Sequence, residues 1–156
     1  MDMQSDQEKL DRVWQRVRSG GGESPPALPV QNEMQLPELA RQAQRAAAEF
    51  WQLSRRAGGG IGAQLRQLAG QKRAQAACLR GICALSGDQP LQGQTVPAAR
   101  EPLGEQLRKC CEREMQCLCE YARRTGDGAF GQIFAHLTDR QRTLCQTVLM
   151  LLGTDQ

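Results

Sequence analysis

The sequence is poor in the residues that build strands and in those that bind most metals. It has five Val, three Ile and six Thr in 156 residues, and its aromatics are three Phe, two Trp and one Tyr. So few β-branched and aromatic side chains exclude an all-β fold. His136 is the only histidine, which excludes any centre or catalytic set that needs two imidazoles in one chain. No run approaches the roughly 20 apolar residues of a membrane span. The first nine residues are polar and acidic with no apolar stretch behind them, so no secretory signal is expected. Charge of one sign is missing as well. The 20 basic and 17 acidic side chains are interspersed and sum to +3, and with few aromatics to stack on bases no nucleic-acid partner is expected.

What is present favours helix. By count there are 21 Gln and 17 Arg, with abundant Ala and Leu, and these are mostly good helix formers. The expected class is all-α, soluble and globular, with no membrane contact. Seven cysteines are an odd number and include no Cys-x-x-Cys. Reduced thiols in a cytoplasm are the expected state.

Punctuation divides the chain. Over residues 1–18, Leu10, Val13, Trp14 and Val17 form the i, i+3, i+4, i+7 stripe of a short amphipathic helix. Residues 19–32 are rich in Gly and Pro and read as a flexible linker. Residues 33–153 then carry four helical segments, expected at about Glu33–Ala57, Ile61–Leu85, Ala98–Thr125 and Ala129–Leu152. Gly58-Gly59-Gly60, Ser86-Gly87-Asp88 and Gly126-Asp127-Gly128 separate them. Four helices of about 25 residues, each about 37 Å long, predict an antiparallel four-helix bundle.

Each segment has a seam of residues spaced alternately by three and four. The second reads Leu65, Leu68, Lys72, Gln75, Leu79, Ile82, and the fourth Phe130, Phe134, Leu137, Gln141, Leu144, Val148, Leu151. The first places Glu49 mid-seam, and the third places Glu114 there beside Cys110, Cys117 and Tyr121. The seams are apolar at their ends and polar in the middle. A polar core layer of Glu49, Lys72, Gln75, Glu114 and Gln141 is therefore expected. Lys72 would supply the cation between the two carboxylates, with Gln75 and Gln141 completing the hydrogen bonds.

A carboxylate on helices one and three, with paired polar positions three apart on helix two, resembles the di-iron layout of the ferritin-like superfamily. More narrowly, the chain resembles the small rubrerythrin-like proteins of anaerobic bacteria over roughly residues 33–153. The stretch Leu68-Ala69-Gly70-Gln71-Lys72-Arg73-Ala74-Gln75-Ala76 and the helix lengths carry that resemblance. It implies Glu-x-x-His on the second and fourth helices and single glutamates on the first and third. Glu49 and Glu114 match the single glutamates and are the vestigial metal positions. Lys72 and Gln75 stand at the second helix's Glu and His, and Gln141 and Leu144 at the fourth's. Four of six ligands are thus replaced, and His136 falls off the seam. The resemblance implies iron or manganese for any retained, modified site, with oxidase, peroxidase or storage chemistry. Without those ligands the expected protein holds no cofactor and catalyses no reaction.

Two other readings remain open on the residues. Cysteine-lined bundles that store Cu(I) have similar architecture, and soft metals choose thiolates; here the cysteines lack the four-residue spacing that would align them. The connector before the third helix, about eleven residues, reaches about 36 Å extended, so both up-down-down-up and up-down-up-down orders are allowed. The architecture is compatible with a homodimer, and the tethered N-terminal helix offers a surface to a protein partner.

Overall fold

The computed structural model describes residues 34–155 apart from Pro90, Gln94, Ala99 and Asp127. The helix expected over residues 1–18 and the linker at 19–32 lie outside the described residues. Among the described residues there are four α-helices and no strand. They are α1 (Leu36–Ala57), α2 (Gly59–Ser86), α3 (Leu103–Arg123) and α4 (Gly131–Asp155), with short 3-10 turns at Arg124–Gly126 and Gly128–Phe130. The chain forms two compact units, which divide between Gln106 and Leu107.

In the first unit α1 opens with Pro37 in its first turn, where a missing N–H costs nothing. Its buried face includes Leu39, Ala43, Ala46, Phe50 and Leu53. The expected seam, Leu39, Gln42, Ala46, Glu49 and Leu53, shares Leu39, Ala46 and Leu53 with that face, but Ala43 and Phe50 take the core positions assigned to Gln42 and Glu49, which are only half-buried. The second helix starts at Gly59 rather than at Ile61. Gly58 and Gly59 have φ of 63° and 58°, a left-handed backbone open chiefly to glycine, and the Gly58 carbonyl accepts the Gly62 N–H at 2.8 Å. Helix therefore begins inside the glycine run. A Cβ on Gly62 would lie 2.8 Å from the Ser54 carbonyl oxygen, so glycine lets α1 and α2 close directly beyond the turn.

The far end of α2 is a Schellman cap. Gly87 has φ 77°, its N–H reaches the Ala84 carbonyl at 3.3 Å, and Asp88 N–H reaches that of Cys83 at 2.9 Å. The connector then covers residues 87–102, longer than expected. Helix does not begin at Ala98, because Pro102 disfavours helical backbone in the residue before it. Instead the Pro102 carbonyl accepts the Gln106 N–H at 3.1 Å and α3 begins at Leu103. The connector's course is visible from its partners on α1. Gly93 lies near the Gln44 side chain. Gln52 Nε2 donates to the Val96 carbonyl at 2.9 Å, and Arg56 Nη2 to that of Glu101 at 2.7 Å. From Gln44 to Arg56 is about 18 Å of helix. The connector thus runs back along α1, from the capped end of α2 toward the glycine turn.

The second unit pairs α3 with α4. Leu118 and Cys145 form a buried contact, with Met115 and Leu149 packed against it. Tyr121 and Phe134 stack at a tilt, ring centroids 6.3 Å apart, and the Arg124 guanidinium lies 5.8 Å from the Phe134 centroid. Helix four begins at Gly131, two residues after the expected start, because the link is wound into 3-10 turns. A Cβ on Gly131 would lie 2.5 Å from the Thr125 carbonyl oxygen. Phe134, Leu137, Leu144, Val148 and Leu151 are buried, as their seam anticipated. No described helix is long and apolar enough to cross a membrane.

Candidate functional site

Four of the five expected polar-layer side chains are buried, and each unit holds a part of the set. In the first unit, Lys72 is 1 % and Gln75 3 % exposed. One helical turn apart, they share a face, and Lys72 Nζ donates to Gln75 Oε1 at 2.8 Å. A buried ammonium is strongly disfavoured unless polar groups receive it, and the Gln75 oxygen is one such group. Glu49 is only half-buried. Its carboxylate accepts Arg45 Nε at 3.1 Å from the preceding turn of α1.

In the second unit, Glu114 is 1 % and Gln141 0 % exposed. Gln141 Nε2 donates to the main-chain carbonyl of Glu114 at 2.8 Å and to its Oε1 at 3.0 Å. Arg113 Nε donates to Glu114 Oε2 at 2.8 Å. Both carboxylate oxygens are thereby engaged. The Arg113 contact carried no sequence signal, since adjacent helical residues point to different sides. Glu120, also buried, is met by Arg123 at 3.3 Å.

The cysteines are thiols, with no disulfide among them. Cys83, Cys110, Cys111 and Cys145 are buried, whereas Cys117, a seam position, is only half-buried, as are Cys78 and Cys119. Burial pushes the Cys110 thiol up to about 12, with the Glu114 charge and Cys111 adding to the effect. Burial raises Cys83 too, with Asp88 contributing. Such thiols stay protonated near neutrality and are poor nucleophiles. Cys111 Sγ and Met115 Sδ approach to 3.9 Å across one turn.

As donors, these groups do not suit a di-iron centre. The buried pair on α2 is an ammonium and an amide, whereas iron and manganese are held chiefly by carboxylate and imidazole. The Glu114 oxygens already accept Gln141 and Arg113, and His136 is exposed. Among the described residues no three His, Cys, Asp or Glu side chains are grouped to hold a metal ion. No protein family, curated protein or solved structure matches the chain.

Proposed function

We propose that the chain is a ferritin-like four-helix bundle, similar in layout to small rubrerythrin-like proteins, whose di-iron ligands have given way to hydrogen-bonded polar groups. It acts as a non-catalytic scaffold of the cytoplasm, working through partners rather than through a metal. Two tight links and one long connector support the ferritin-like order. The turn at Gly58 and the 3-10 link before Gly131 join neighbouring helices, while residues 87–102 run back along α1. A single crossover of this kind distinguishes ferritin-like bundles from all-short-loop and double-crossover ones.

The functional half of the proposal rests chiefly on one observation, the buried Lys72 ammonium hydrogen-bonded to Gln75. A fixed positive charge at the second helix's ligand positions opposes a divalent cation there. The test is metal content after expression with excess iron, manganese or zinc. The expected result is well under one equivalent of each. Two equivalents of iron or manganese, lost on Glu49→Ala or Glu114→Ala, would overturn it. The sulfur pair Cys111–Met115 favours a second reading, a soft-metal binder. One equivalent of Cu(I) held by the wild type and lost in Cys111→Ser would establish it.

A further inference from the structure

The outer face of α2 has a charge pattern that the polar layer does not use. Arg66, Arg73 and Arg80 recur every seven residues and all three are exposed. That spacing sets them in a row at intervals of about 10.5 Å, spanning about 21 Å. From Gly59 to Ser86 the helix has no acidic residue, so no neighbour on it neutralises the row. Arg66 and Arg80 make no ion pair among the described residues. The Arg73 guanidinium lies 5.6 Å from the ring centroid of Trp51, which is itself 43 % exposed. An aromatic anchor thus sits open beside the middle cation, and Trp and Arg are the side chains most often found at the energetic centres of protein interfaces.

The backbone beside the row is bare as well. Gly70 and Gly81 lie inside α2, and a Cβ on either would meet nothing within 4 Å. Each costs the helix about 1 kcal/mol relative to alanine, with no packing reason among the described residues. Glycine there leaves room for another backbone to come close.

We infer that this face is a docking surface for an acidic amphipathic helix of a partner protein, with carboxylates at seven-residue spacing to meet the three arginines. This rests on the scaffold reading and names the chemistry of its partner. Charge complementarity selects the occupant. A second copy of α2 would set arginine against arginine, which is repulsive. A nucleic-acid duplex presents a phosphate about every 3.4 Å along each strand, far denser than this row, and one tryptophan is a small stacking platform. A helix bearing Glu at every seventh position repeats at the row's own interval.

The experiment uses the full chain and a fluorescent synthetic helix of about three heptads, with Glu at every seventh position and a leucine stripe. A peptide of the same composition with scrambled Glu positions and a single-stranded oligonucleotide serve as comparisons. Anisotropy is expected to show binding of the heptad peptide, weakened by salt. Arg66→Glu/Arg73→Glu/Arg80→Glu should weaken it by about 100-fold or more, because like charges then face each other. Gly70→Leu changes no charge and should weaken it by about 10-fold through steric exclusion. Circular dichroism confirms that each variant is folded. Equal affinity for the scrambled peptide, no binding at all, or preferential binding of the oligonucleotide would each overturn the inference. Metal content, measured on the same preparation, judges the scaffold reading separately. Two bound irons would defeat that reading whatever the peptide does, and failure of the peptide leaves the metal result standing.

Discussion

The side-chain amide of Gln141 reaches two oxygens of one residue, the main-chain carbonyl of Glu114 at 2.8 Å and its Oε1 at 3.0 Å. Both residues are almost fully buried, so one group fixes α4 against the middle of α3 in rotation and in register. Gln141→Leu keeps the volume roughly constant and removes both donors. It should cost about 1–3 kcal/mol of unfolding free energy, as expected when buried acceptors lose a partner. Gln141→Glu should cost more at pH 7, by setting carboxylate against carboxylate, and the excess should shrink in acid. Urea denaturation with both variants at the wild-type midpoint would show that this amide does not hold the helices together.

Lys72→Met separates the proposed role of the ammonium from mere packing. The buried ammonium donates to Gln75 Oε1 at 2.8 Å, and its loss takes this donor from a buried acceptor, so Lys72→Met should destabilise by about 1–3 kcal/mol at pH 7. An unchanged or higher midpoint at pH 7 would end that role.

Cys110 ties stability to alkaline pH. Its thiol is raised from 9.0 to about 12 by burial, the Glu114 charge and Cys111. The unfolded chain therefore loses this proton first. The contribution is intact below about pH 9 and is lost as pH rises from there toward 12, at up to about 1.4 kcal/mol per pH unit for one proton. Cys110→Ala should show a shallower alkaline loss of stability than wild type in matched denaturant titrations. Parallel curves would mean that this thiol ionises as readily in the folded state as in the unfolded one.

Two glycines of α2 should respond in opposite directions to alanine. Gly62→Ala drives a methyl to 2.8 Å from the Ser54 carbonyl oxygen and should destabilise by about 1–3 kcal/mol, the usual range for overpacking. Gly70→Ala meets open space and should stabilise by about 0.5–1 kcal/mol through backbone entropy and helix propensity. Thermal melts that move both variants the same way would contradict the close α1–α2 approach at Gly62.

The buried stripes were legible because a helix repeats its facing residues at fixed spacing. Leu65, Leu68, Lys72, Gln75, Leu79 and Ile82 are all buried, polar members included. Glu49 is half-buried because α1 turns Leu39, Ala43, Ala46, Phe50 and Leu53 inward, which gives the core position to Phe50, and Arg45 meets the Glu49 carboxylate outside that stripe. Leu39, Ala46 and Leu53 fit two alternations of three and four, so spacing alone does not choose between Glu49 and Phe50. Helix ends were less legible. Ala98 to Glu101 suit a helix by propensity, but Pro102 overrides them, and the glycine run that looked like a gap belongs partly to α2. Contacts between residues distant in sequence, such as Gln52 with Val96 and Arg73 with Trp51, leave no periodic trace to read.

The returning connector has a kinetic consequence. The α1–α2 hairpin closes through a glycine turn, so its first contacts span few residues and cost little loop entropy. The bonds from Gln52 to Val96 and from Arg56 to Glu101 span 44 and 45 residues, and α1 must already be in place to offer them. The low loop entropy of the hairpin therefore favours its closing before the connector is laid along α1.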